Sequence, residues 1–225
     1  MCGRSSLTKT EKELEERFKA TFYSEDLERY NPLPNYNVAP THMHPVITQD
    51  DPSSIQLYRW GLIPFWAKDM KIGSRLINAR METIEEKPSF RQAFLRRRCI
   101  VPFDGYYEWQ KTPDGKVPYR IQLKNTEIFT IAGLYEHWRN PENGEEVNSF
   151  TLITREANPV IRHLHDRQPL VLLPEQERLW LDNQIPSKDI IREVGDVPGD
   201  YFTWYRVSTR VNKVSENDAG LLEAV

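Results

Sequence analysis

The sequence predicts an α+β domain of mostly antiparallel strands, curled into a barrel-like sheet with short helices around it. Three observations carry this reading. The apolar runs are joined by turn signals rather than by helical crossovers, which argues against a parallel α/β sheet. The helical patterns are short and scattered between the strands. No internal repeat, low-complexity tract or linker divides the 225 residues, so residues 1–225 read as one domain with ample mass for a core.

The elements follow in order. Thr8 stands as N-cap of a helix over residues 8–22, with Glu11 three positions on and Leu14 and Phe18 at helical spacing. Residues 31–41, with Pro32, Pro34 and Pro40, read as a loop rather than regular structure. His42 and His44 alternate after it, but no third ligand accompanies them and no metal is expected. Strands are expected over 46–49 and 56–62 around the turn Asp50-Asp51-Pro52-Ser53. The second runs into Trp60-Gly61-Leu62-Ile63-Pro64-Phe65-Trp66, whose two indoles are either core or a stacking platform for a nucleobase.

Asn78 and Arg80 follow an apolar pair, and period-two spacing aims both to one side of an extended strand. A helix is expected over 88–98, with Phe90 and Phe94 inward. Arg91, Arg96, Arg97 and Arg98 would complement its C-terminal dipole from a solvated face. Residues 99–110 read as one long strand bent at Asp104-Gly105. Within it Glu108 stands among Tyr106, Tyr107 and Trp109, either on a solvent face or desolvated with a raised pKa suited to proton transfer. Pro113-Asp114-Gly115-Lys116 signals a hairpin whose return is 119–124. Strands over 128–134 and 149–154 form another pair. A short helix over 157–164 leads to His165 on a helix-to-strand loop, an address that often carries function. A strand over 170–173, helices over 174–182 and 187–194, and a strand over 202–207 complete the chain.

Composition bounds the function. Hydrophobic residues make up 39% and charged residues 28%, as in soluble globular proteins, and no run approaches the ~20 apolar residues of a membrane span. A net charge of −3 argues against a uniformly basic coat, while 30 Lys and Arg leave room for a local basic groove. With two cysteines, Cys2 and Cys99, and no targeting segment, a reduced cytoplasmic setting is expected. Cys99 lies in an apolar run and reads as a small buried hydrophobe.

Cys2 is the chemical centre of this reading. A cysteine after the initiator methionine permits Met1 to be trimmed, leaving an α-amine and a thiol on adjacent carbons. An α-amine has a pKa of about 7.7–8.0 against about 10.4 for lysine, so far more of it is neutral at pH 7. Amine and thiol together can close on an aldehyde as a five-membered thiazolidine. The amine can instead serve as base for the thiol on an acyl substrate.

Six blocks then carry a family resemblance: Met1-Cys2-Gly3-Arg4, Asn37-Val38-Ala39-Pro40, Trp60-Gly61-Leu62-Ile63-Pro64-Phe65-Trp66, Asn78-Ala79-Arg80, Gly105-Tyr106-Tyr107-Glu108-Trp109 and His165-Asp166-Arg167-Gln168-Pro169. In this order, across almost the whole chain, they resemble the SOS-response-associated peptidase (SRAP) family, whose members crosslink to abasic sites in DNA. Gln168 departs from the pattern, where a hydrophobic residue is expected. The resemblance implies that Cys2 captures the open-chain aldehyde of an abasic site in single-stranded DNA as a thiazolidine. Glu108 would be the acid/base, His165 a proton shuttle on the opened sugar, and Asn78 the group that orients Cys2. Arg4, Arg80 and Arg167 would face the strand, the last two as bidentate phosphate clamps. Asn37, Pro40, Trp60 and Trp66 would supply wedge and stacking surfaces. A monomer acting on abasic single-stranded DNA is expected, with no cofactor and no membrane partner.

Two other classes fit parts of the sequence. Glutamine amidotransferases also begin Met-Cys-Gly, but there a hydrophobic strand follows, whereas here Arg4-Ser5-Ser6 and a helix do. A non-covalent single-strand binding module would use the aromatics and arginines and leave Cys2 incidental.

Overall fold

The computed structural model describes residues 2–30 and 32–225. The expected loss of Met1, and Asn31 at the head of the proline-rich stretch, lie outside them. In chain order the strands are β1 (Ser5–Leu7), β2 (Thr21–Phe22), β3 (Asn35–Val38), β4 (Met43–Thr48), β5 (Ser54–Trp60), β6 (Asn78–Arg80) and β7 (Arg98–Phe103). They continue as β8 (Gly105–Thr112), β9 (Gly115–Leu123), β10 (Phe129–Arg139), β11 (Glu146–Glu156), β12 (Arg167–Pro169), β13 (Val171–Leu172) and β14 (Phe202–Arg206). The α-helices are α1 (Glu11–Phe18), α2 (Ser24–Tyr30), α3 (Arg91–Arg96), α4 (Pro174–Leu181) and α5 (Ser187–Glu193).

Five strands close on themselves. β4 pairs with β5 and β7, β7 with β10, and β10 with β11, all antiparallel, and β11 returns to run parallel to β5. Closure removes the free strand edges of these five. A second, wholly antiparallel sheet has the order β14-β9-β8-β1-β3. One apolar cluster joins the two sheets: Trp60, Phe103, Phe150 and Tyr135 from the barrel meet Cys2, Val38, Tyr106 and Ile121 from the second sheet. The expected α+β barrel is therefore the fold. Among the described residues no helix is long and apolar enough to cross a membrane.

The chain passes from barrel to second sheet between Phe103 and Gly105, so the expected bent strand is two strands in two sheets. Asp104 holds this corner and is itself buried. Its carboxylate accepts from Ser6 Oγ (2.5 Å), Thr8 N (2.6 Å), Thr8 Oγ1 (2.6 Å) and Arg120 Nη2 (3.0 Å). Arg120 is equally buried, and its guanidinium leaves no room for a side chain at Gly105, where a Cβ would lie 2.7 Å from it. Thr8 is thus not the helix cap. Thr10 is, in a capping box with Glu13, and Thr8 satisfies the corner instead.

Three other expectations are corrected. The proline-rich stretch contains β3, because the proline-free residues Asn35–Val38 can pair with β1. The helix over 88–98 shortens to α3, and Arg98 opens β7 fully buried. Its guanidinium donates to the carbonyls of Trp180 (2.7 Å) and Asp182 (2.6 Å) and to Ser187 Oγ (3.0 Å). Residues 157–164 form turns closed by bonds to the Asn158 carbonyl rather than a helix.

A buried ion pair that loses one partner leaves an uncompensated charge, a change that destabilises by about 3–5 kcal/mol. Asp104→Ala is expected to lower the unfolding free energy by about that amount, measured by urea denaturation. A loss within experimental error would show that the corner is held by packing alone.

Candidate active site

β1 lies between β8 and β3, with Ser5 opposite Tyr106 and Ser6 opposite Gly105. The Tyr107 N–H donates to the Arg4 carbonyl at 2.9 Å, carrying the pairing one residue further. Extending that register sets Gly3 against Glu108 and Cys2 beside it. Asn78, on β6, donates from Nδ2 to the Cys2 carbonyl at 2.7 Å. Its Oδ1 is buried and has no hydrogen-bond partner among the described residues. Cys2 Sγ lies 3.9 Å from Ser5 Oγ.

Burial sets the electrostatics. Cys2 is wholly inaccessible, and its thiol pKa is pushed up to about 12, by desolvation first and by the Glu108 carboxylate second. Glu108 is 3% exposed, and desolvation lifts its carboxyl to about 7. Such a group is half protonated near neutrality and can both give and take a proton. Tyr106 shares this apolar pocket with Cys2. Tyr107 points to the opposite face of β8, donating to the Tyr36 carbonyl at 2.8 Å, so it takes no part in desolvating Glu108.

Glu108 opens onto a cleft of about 320 Å³ lined by Trp109, Lys111, Lys116, His165 and Asn212. His165 Nδ1 accepts from the Arg167 N–H at 2.9 Å, and burial lowers its pKa. The neutral ring therefore carries its hydrogen on Nε2. The Asp166 carboxylate also lies 2.9 Å from Nδ1, a partner only for a ring that carries a hydrogen on Nδ1. A larger cleft of about 560 Å³ lies elsewhere, among Glu13, Arg17, Asn125 and Phe129. It holds no nucleophile beside an acid–base pair, so size does not mark the site.

The structure thus brings Cys2, Asn78 and Glu108 together and sets His165 on the same cleft. The other expected residues divide. Arg80 is exposed, Pro40 is half-buried on the turn between β3 and β4, and Trp66 is 47% exposed beside Phe65 at 58%. Four are engaged inside the fold. Trp60 is in the core, stacked on Phe150 at 6.1 Å, and offers no face to a base. Asn37 is buried, with Nδ2 donating to the carbonyls of Lys213 (3.0 Å) and Glu216 (2.8 Å). Arg4 Nη1 donates to Asn37 Oδ1 at 2.9 Å and to the Val211 carbonyl. Arg167 forks onto Glu82, at 2.6 and 2.8 Å, and donates to the Thr154 carbonyl at 2.8 Å. Sequence reasoning missed Phe65, Lys111, Lys116 and Asn212. The one available signal was the alternation of Trp109 and Lys111 along β8. Among the described residues no group of three His, Cys, Asp or Glu is placed to hold a metal ion.

Comparisons with known proteins agree with one another. A family model described as SOS response associated peptidase (SRAP) matches residues 1–214. Abasic site processing protein YoqW of Bacillus subtilis (strain 168) is 39% identical over 227 residues, covering 100% of both chains. Abasic site processing protein HMCES of Xenopus tropicalis is 30% identical over 270 residues, covering 100% of this chain and 78% of that one. A crystal structure of a protein from Bacteroides thetaiotaomicron superposes with a TM-score of 0.91 at 30% identity, covering 100% of both chains.

The raised Glu108 pKa has a consequence for stability. The folded chain holds this proton more tightly than the unfolded chain, so its contribution is most favourable at low pH. Stability is lost as pH rises from the ordinary carboxyl range through about 7. Glu108→Gln removes that loss. The stability of the variant relative to wild type is expected to grow by up to about 3 kcal/mol between pH 4.5 and 8. Urea titrations across that range read it, and a difference independent of pH would mean Glu108 titrates as an ordinary surface acid.

Proposed function

The chain belongs to the SOS response associated peptidase family, and from that premise we propose that it captures abasic sites in single-stranded DNA covalently through Cys2, once Met1 is removed. The observation that carries this reading is the placement of Cys2 against a buried glutamate whose pKa stands near 7. The curated relatives that match the whole chain are named abasic site processing proteins, which fits a lesion whose open form is an aldehyde.

Burial orders the steps. Burial pushes the Cys2 thiol up to about 12, so little thiolate is available near neutrality, whereas an α-amine is partly neutral there. The amine therefore attacks first. The C–N bond forms, the carbonyl oxygen leaves as water, and an imine results. The thiol then adds across C=N, giving up its proton as the nitrogen gains one, and closes the ring with net loss of one water. Glu108 serves both proton transfers, delivering one to the departing hydroxyl and receiving one from the thiol. The His165 Nε2–H donates to the opened sugar. The unpartnered Asn78 Oδ1 accepts from the freed amine. A thiol-first hydrolase needs the opposite order, which this burial disfavours.

Arg80, Pro40 and Trp66, with Phe65, supply the outer contact to the strand. Arg4, Asn37 and Trp60 support the site from within. Arg167 holds the His165 loop through its own N–H, and would have to exchange Glu82 for a phosphate to act as a clamp.

The test uses chain lacking Met1, verified by intact mass, with oligonucleotides that do or do not carry one abasic site. A denaturation-resistant adduct is expected on the abasic strand alone. Cys2→Ala should lose the adduct and keep the binding, and an N-terminal tag should block it equally. Glu108→Gln should slow crosslinking on the order of 10²-fold and remove the rate inflection near pH 7, with affinity changed no more than a few-fold. A heat-stable adduct from Cys2→Ala, or glutaminase activity without any adduct, would overturn the proposal.

A further inference from the structure

On the β8–β9 hairpin Lys111 stands directly opposite Lys116. Like charges facing each other across a strand pair are destabilising, so the fold gains nothing from the pairing. Both side chains are exposed, and both line the cleft that holds Glu108 and His165. Neither forms an ion pair among the described residues, in contrast to three arginines of the fold. Arg167 is held by Glu82, Arg155 by Asp196, and Arg210 by Glu216 and Asp218. Lys111 also lies close enough to His165 for its charge to act on the imidazole, as a minor contribution beside burial.

A chain of net charge −3 that concentrates two unneutralised ammoniums on one side of its reactive cleft has built a local anion site. We propose that Lys111 and Lys116 form a phosphate-binding rim that takes the backbone phosphate next to the abasic nucleotide. This rests on the single-stranded DNA reading above. A bridging phosphate turns the repulsion between the lysines into a shared attraction and draws the baseless sugar towards Glu108 and His165. The cleft, at about 320 Å³, has the size of a small-ligand site. Lysine is suited here as a mobile point charge that follows a phosphate without fixing its orientation.

Another role for paired lysines is to guard an exposed hairpin edge against aggregation. The two roles separate by experiment. Binding is measured with an oligonucleotide carrying a tetrahydrofuran abasic analogue, which has no aldehyde, between about 50 and 200 mM salt. Lys111→Gln with Lys116→Gln should reduce the log–log salt slope by about 0.7, the share of one phosphate, and each single change by less. The melting temperature should stay equal or rise, since the repulsion is relieved. With the true abasic strand below saturation, the double variant should crosslink more slowly than wild type, in step with its lost affinity. An unchanged salt slope overturns the rim while leaving the crosslinking function intact. Wild-type chain that neither binds nor crosslinks overturns both. Inorganic phosphate at matched ionic strength should not inhibit crosslinking. Strong inhibition would overturn the assignment to the DNA backbone in favour of a free-phosphate site.

Discussion

The buried carboxylate of Asp104 holds the corner on which this molecule depends. It sits where the chain leaves the closed barrel for the second sheet, and it gathers Ser6, Thr8 and Arg120 within hydrogen-bonding distance. Two functional elements radiate from it. β1 leads back from Ser6 to Cys2, and β8 leads forward from Gly105 to Glu108. Because both strands are fastened at one corner and paired in one register, Cys2 and Glu108, the proposed nucleophile and acid–base group, are placed by the backbone rather than by flexible side chains. That is the precision a reacting pair needs.

The same burial that builds the core builds the chemistry. Cys2 packs in the cluster that joins barrel to sheet, with Tyr106 and Trp60. In that environment neither the thiol nor the carboxylate ionises easily. Under the proposed mechanism, a thiol held un-ionised in this way is spared for the imine that forms beside it. A glutamate with its pKa near 7 suits the proposed transfer of protons in both directions. These properties reduce stability locally, and a fold with closed strands and a continuous core can bear that.

Much of this was legible in the sequence. Turn chemistry and alternation marked the β8–β9 hairpin, the β4–β5 pair and the β10–β11 pair, and Glu108 stood out as an acid among aromatics. What escaped reading depends on long-range partners. Asn35–Val38 forms a strand because β1 lies beside it, and its flanking prolines conceal that. Arg98 looked like a solvated helix end but is enclosed by carbonyls from α4 and the turn after it. Trp60 and Trp66 look alike in sequence, yet one closes the core and the other faces solvent. Arg4 and Arg167 carry the right chemistry for phosphates but meet Asn37 and Glu82, residues 33 and 85 positions away. Cross-strand neighbours such as Lys111 and Lys116 acquire meaning only when the register is known.

In the proposed reaction the Cys2 amine and thiol together close on an aldehyde carbon. An oligonucleotide labelled with carbon-13 at C1′ of the abasic sugar, reacted with chain lacking Met1, reports the bonding at that carbon by NMR. A saturated carbon bonded to nitrogen and sulfur is predicted, with the signal surviving borohydride. An unsaturated imine carbon that borohydride reduces, or a carbon left in its hemiacetal form, would contradict the account.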